Sequence, residues 1–182
     1  MTRRYLARPP LVAGLVGLAA IAAGLAYAGP ERVSYPTGYK DWVKYTVVEH
    51  PDRKIVRNMY VNPEAHERAK PGEPMPDGTV LVMEDMKIRL DSSGNPEIGP
   101  DGRFVPTGEV TAIWVMQKEK GWGNGIAADL RNGDWDYSAF TPEGSLRPNL
   151  KTAGCFSCHM NRKGERDFTF TYAKALMDAD KR

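Results

Sequence analysis

Cysteine is nearly absent: only Cys155 and Cys158 occur in the 182 residues. Three positions apart, they cannot staple distant parts of a fold as a structural disulfide. No internal repeat and no low-complexity tract is present. No basic stretch interleaved with aromatics marks a nucleic-acid interface. What is present is ordinary for a globular domain: 41% hydrophobic and 9% aromatic residues, enough for a real core. Fourteen Pro and eighteen Gly favour turns and short elements over a long helical bundle.

Acidic residues are missing before Glu31, while Arg3, Arg4 and Arg8 make the start basic. Leu11 to Ala26 is an unbroken run of Leu, Val, Ile, Ala and Gly, followed by Ala26-Tyr27-Ala28 and the helix-breaking pair Gly29-Pro30. A basic region, an apolar region and an A-x-A site in that order predict a signal peptide over residues 1–28. The run approaches bilayer-spanning length, so an uncleaved N-terminal membrane anchor is the alternative. Ala and Gly insert less firmly than Leu, which favours cleavage. Either reading places residues 29–182 outside the cytoplasm as a single domain, on the periplasmic side if the source is a Gram-negative bacterium. Cleavage removes three of the 25 Lys and Arg and none of the 23 Asp and Glu, turning a net charge of +2 into −1. The basicity of the whole chain therefore says nothing about nucleic acid.

Trp42 to Val48, rich in aromatic and β-branched residues, predicts a strand, and Pro51-Asp52-Arg53-Lys54 a turn. Ile55 to Val61 predicts a second strand, with Ile55, Arg57, Met59 and Val61 on one face, paired with the first as a hairpin. Asn62-Pro63-Glu64 has the form of a helix start, with Asn as cap and Pro at the first position. Pro71-Gly72 and Pro74 stop that helix. Thr79 to Leu90 predicts a third strand after an Asp77-Gly78 turn, residues 91–108 a long loop, Val110 to Gln117 a fourth strand and Trp135 to Phe140 a fifth. A short helix follows from Tyr172 towards Met177. The fold class expected is mainly β (α+β): an antiparallel sheet with short helices and a C-terminal attachment segment.

That segment is Cys155-Phe156-Ser157-Cys158-His159, a C-x-x-C-H pattern. Two thiols add across the two vinyl groups on one porphyrin edge, and the next side chain folds beneath the ring to offer an imidazole to the iron. The predicted cofactor is one covalently attached haem c, with His159 as iron ligand. A thioredoxin-like motif would need an early strand-to-helix setting in a βαβ unit, which is lacking. Export fits, because c-type haem is attached beyond the membrane. Small electron-transfer cytochromes carry the motif near the start, whereas here only residues 160–182 follow it.

The order of segments resembles the cytochrome P-460 family, which includes the β-sheet cytochromes c-prime. Tyr35-Pro36-Thr37-Gly38-Tyr39-Lys40-Asp41-Trp42 is similar to its opening, and Arg57 to Ala65 to its second strand and helix start. Pro76-Asp77-Gly78-Thr79-Val80 is similar to its D-G-T turn, and Cys155 to His159 with Asp167-Phe168-Thr169-Phe170 to its haem-binding tail. The resemblance implies five-coordinate haem on an antiparallel sheet, a homodimer, and an open iron face for hydroxylamine or a small nitrogen oxide. One branch oxidises hydroxylamine with a haem cross-linked to Lys, passing electrons to a soluble cytochrome; another binds nitric oxide and carbon monoxide.

Lys70, in Lys70-Pro71-Gly72-Glu73, resembles the cross-linking Lys, with one extra residue before Asp77; the plainer alternative is a solvated Lys at a helix end. Arg57 interrupts an apolar strand face, which suggests a polar pocket where it steadies a bound anion or N–O ligand; an edge-strand Arg with its head in water is the alternative. Glu84 and Asp85 are candidate proton acceptors. Being adjacent on a strand, they face opposite ways, so at most one points at the haem, and either reads more simply as a surface residue. His50 and His66 are candidate sixth ligands that read more simply as surface histidines. Met160, next to the axial His, cannot reach the opposite iron face. Trp114, Trp122, Trp135 and Phe140 are expected in the core or the haem wall, with Phe140 or Met83 as caps for the open iron face. Enzyme and gas binder both remain, with a lean to the enzyme; plain electron transfer is weakened by the lack of an obvious second ligand.

Overall fold

The computed structural model describes residues 32–164 and 166–179; the predicted leader or anchor over residues 1–28 lies outside the described residues. Five strands, β1 (Val43–His50), β2 (Ile55–Val61), β3 (Val80–Ile88), β4 (Pro106–Lys118) and β5 (Trp135–Phe140), form one antiparallel sheet in chain order. Among the described residues three α-helices accompany it: α1 (Pro63–Arg68), α2 (Ala153–Met160) and α3 (Tyr172–Ala179). The expected class, mainly β with short helices, is what is observed. Among the described residues no helix is long and apolar enough to cross a membrane.

Local chemistry explains the corners. Pro51–Arg53 makes a 3-10 turn that Lys54 leaves in the left-handed region, at φ 54°. Asn62 occupies the cap position of α1, yet its side chain makes no capping bond. Its Oδ1 accepts from Val80 N at 2.8 Å and its Nδ2 donates to Gly78 O at 3.1 Å. The Asn therefore ties the end of β2 to the Asp77-Gly78 turn, and that turn needs glycine because φ at Gly78 is 82°. This connection sets the register in which Arg57 pairs with Asp85 and Met59 with Met83.

Two expectations shift. Strand β4 begins at Pro106, inside the expected 91–108 loop, and the preceding residues fold back as a small ladder, with bridges Leu90–Pro96 and Ile98–Phe104. The Cys pair lies on a helix, α2, that no sequence signal announced; eight residues are too few for a clear apolar period.

The sheet is covered on both faces, and its period of two sorts the strands cleanly. Val61, Leu81, Met116 and Tyr137 lie directly across neighbouring strands and join Phe156, Phe168, Tyr172 and Ala173 of the tail in one buried cluster. Tyr60, Val82 and Val115, one position away, join Val33, Tyr39, Ile113 and Phe140 on the other face. Trp135 and Ile113 are fully buried, one in each cluster; burying a side chain of this kind contributes roughly 1.5–3 kcal/mol.

Candidate haem site

Helix α2 presents Cys155, Cys158 and His159 at positions i, i+3 and i+4, so all three share one face. Phe156, 2% exposed, anchors the helix by packing edge-on against Tyr137 at 4.8 Å between ring centroids. Buried Asn132 reinforces the dock, its Nδ2 donating to the Tyr137 hydroxyl at 2.8 Å and to Phe156 O at 3.1 Å. Both thiols are free, and burial pushes that of Cys155 up.

A cavity of about 520 Å3 separates this segment from the sheet, within the roughly 300–1,000 Å3 of cofactor clefts. Its tail side carries Cys155, Cys158, His159 and Phe170, and its sheet side Met59, Leu81, Met83, Trp114 and Met116. Tyr45, His50, Arg53 and Arg57 come from β1, β2 and the turn between them. The largely apolar wall, the two thiols and the His159 imidazole suit a porphyrin.

His159 is prepared as a ligand. Its ring stands 4.8 Å from Tyr137 and 5.0 Å from Phe170, and its Nδ1 lies 2.6 Å from the Phe168 carbonyl. A carbonyl can only accept, so Nδ1 carries the proton and the Nε2 lone pair is free. Burial pushes the imidazole below its ordinary pKa, favouring the neutral form a metal requires.

Arg57 lines the cavity and clasps Asp85 in a bidentate pair, Nε to Oδ1 at 2.6 Å and Nη2 to Oδ2 at 2.9 Å. Trp114 Nε1 donates to the same Oδ2 at 2.9 Å. The β3–β4 register shifts just after Asp85; such bulges re-aim side chains beside functional sites. The edge-strand alternative for Arg57 fails, because β2 lies between β1 and β3.

Several expected site residues lie elsewhere. Glu84 is neither a surface residue nor a cavity residue: it is 1% exposed on the reverse face. There it accepts from Tyr39 Oη at 2.5 Å, Asn58 Nδ2 at 2.9 Å and Tyr60 Oη at 3.4 Å. Strand alternation is the reason, since Asp85 took the cavity side. Phe140 belongs to that reverse cluster and caps nothing in the cavity, whereas Met83 does line it. Lys70 is exposed, pairs with Glu73 at 3.8 Å and does not line the cavity. His66 bonds the Tyr172 hydroxyl at 2.9 Å, and Met160 packs against the tail cluster. Trp122 packs on the reverse face, while Trp114 is the tryptophan in the cavity wall. His50 is a wall residue rather than a surface one, held below its ordinary pKa by burial and by the Arg57 and Arg53 cations.

A two-faced antiparallel sheet with thiols and imidazole aimed into an apolar cleft defines a β-sheet haem protein. A family model described as cytochrome P460 matches residues 36–171. The chain belongs to the cytochrome P460 family, and haem is the cofactor this family implies. No curated protein matches the chain significantly.

Proposed function

We propose that this protein is an exported mono-haem cytochrome that oxidises hydroxylamine or a related small nitrogen compound at an open iron face. Cys155 and Cys158 would hold the haem by thioether bonds and His159 would bind the iron through Nε2. The bound haem supplies a site for the nitrogen ligand and accepts its electrons. The observation that carries the reading is Arg57, which lines a largely apolar cleft and is paired behind the wall with buried Asp85. A pocket for diatomic gas alone has no need of a buried guanidinium and carboxylate.

The chain's own groups divide the work. Arg57 donates towards a polar N–O ligand while its fork holds Asp85 in place. A carboxylate offers about four lone-pair sites, and Arg57 and Trp114 occupy three of those on Asp85. One site remains to take a proton from the ligand. Half-buried His50, whose pKa burial and the Arg57 and Arg53 cations lower, lines the same cavity and would pass that proton outwards. The apolar wall of Met59, Leu81 and Met83 keeps bulk water out. The N-terminal segment supports export to the periplasm, and the family resemblance supports a homodimer and a soluble cytochrome as electron acceptor.

Gas binding without turnover is the second reading, favoured by Lys70, which is engaged with Glu73 outside the cavity. An optical spectrum beside the intact mass of the purified protein tests both. High-spin ferric haem, the mass of simple haem addition and steady oxidation of hydroxylamine support the enzyme without a cross-link. The same spectrum with nitric oxide binding and no turnover supports the gas binder. A low-spin spectrum means that Met59, Met83 or His50 closes the sixth position, and electron transfer replaces both.

A further inference from the structure

Outside the cavity lining, Lys118 of β4 and Asp167 of the tail form a largely buried charge pair. Lys118 is 9% exposed at the end of β4. Its Nζ donates to Asp167 Oδ2 at 2.8 Å and to Met75 O at 2.7 Å, and it stands 5.7 Å from the Trp135 ring centroid. Asp167 Oδ2 also accepts from Met75 N at 2.9 Å. Lysine is seldom buried unless paired, so this arrangement needs a reason.

The backbone supplies one. Asp167 and Phe168 are consecutive non-glycine residues in the left-handed region, at φ 40° and 62°. Such strain persists only where the surroundings over-determine it. Here Asp167 is clamped through its carboxylate, Phe168 N donates to Arg162 O at 2.8 Å, and the Phe168 ring is buried. The result is that the Phe168 carbonyl points at His159 Nδ1, 2.6 Å away.

We infer that Lys118 and Asp167 are positioning residues for the axial imidazole of His159, acting through the Phe168 carbonyl. The inference rests on reading Cys155, Cys158 and His159 as the haem-attachment segment. A carbonyl held against the Nδ1 proton fixes the ring's orientation and raises the basicity of Nε2, a role outer-shell partners of metal-bound histidines commonly fill. A more basic imidazole favours ferric over ferrous iron. Lys118 thereby tunes the iron without contacting the cavity.

The test uses the full chain, expressed with a c-type maturation system, and compares Lys118→Met, Lys118→Arg, Asp167→Asn and the exposed control Lys174→Met. Two readouts are taken: the reduction potential and the ferrous iron–histidine stretching frequency. Lys118→Met and Asp167→Asn are expected to move the ferric–ferrous balance about tenfold towards ferrous, ~59 mV for one electron, with a lower stretching frequency. Lys118→Arg restores most of both values, and Lys174→Met changes neither. Should Lys118→Met not accumulate as holoprotein, Asp167→Asn, which keeps the side-chain shape, decides by the same readouts. Haem-loaded variants with wild-type potential and frequency overturn the inference, as does loss of haem in all three variants of the pair, which would make it purely structural. A wild-type chain without covalent haem instead overturns the attachment reading itself.

Discussion

The two faces of this sheet carry the same kinds of residue to different ends. On the tail face, buried Asp85 is held by Arg57 and Trp114, which line a 520 Å3 cavity. One residue earlier on the same strand, Glu84 is buried among Tyr39, Asn58 and Tyr60, with the Lys40 ammonium at 3.8 Å. Both are buried carboxylates with satisfied oxygens. One is bonded to two residues that line a space large enough for a cofactor, and the other is enclosed by packed tyrosines. The proposed difference between them lies in what their partners face.

The comparison breaks most completely at the axial ligand. His159→Ala, or Cys155→Ser with Cys158→Ser, is expected to abolish stable haem loading, read from intact mass and the visible spectrum. Phe140→Ala on the reverse face is expected to cost about 3–5 kcal/mol of stability and leave the haem spectrum as it was.

Next in size is the adjacent acid pair. Asp85→Asn removes the proposed proton acceptor and is expected to slow hydroxylamine oxidation roughly 10²–10⁴-fold, while Glu84→Gln leaves the rate within about twofold. Equal losses in both variants would sink the division of labour between the faces. In denaturant melts the two faces should behave alike. Arg57→Met strands the Asp85 charge at a cost of about 3–5 kcal/mol. Glu84→Ala strands three donors, each costing about 1–3 kcal/mol when left unpaired.

Smaller, and sensitive to pH, is the tyrosine set. Burial pushes Tyr60 on the reverse face and Tyr172 on the tail face each up to about 12, from 10.0. Tyr39, Tyr45 and Tyr137 are raised as well, chiefly by burial. The unfolded chain therefore gives up its phenolic protons first, binding fewer protons than the native state above pH 10. Stability is fully present below pH 10 and falls as pH rises towards 12. A titration of phenolate absorbance should show these tyrosines ionising late and together with unfolding; early ionisation without unfolding would contradict their burial.

The smallest effect expected is at Lys70. Since its ammonium pairs with exposed Glu73, Lys70→Ala should leave haem mass and spectrum unchanged. A spectral shift in that variant would restore the cross-link.

Much of this protein is set by the sequence alone. The β-branched and aromatic runs at Ile55–Val61 and Trp135–Phe140 are strands with the bounds their composition implies, because such side chains suit a pleated surface. Alternation already required that Glu84 and Asp85 face apart. The C-x-x-C-H spacing points to the proposed haem segment because two vinyl groups and one iron would set its geometry, and the ordered motifs carry the family. Tertiary structure decided which face is which. The tail folds back over the Arg57–Asp85 side, and nothing within a strand records the side its distant partner will cover. For the same reason Phe140 became reverse-face core, His50 a cavity wall and Lys70 a solvated cation. Lys118 and Asp167, 49 positions apart in the chain, meet only because β4 and the tail close on one another. Periodicity is a local property; which residues share a cavity depends on long-range packing.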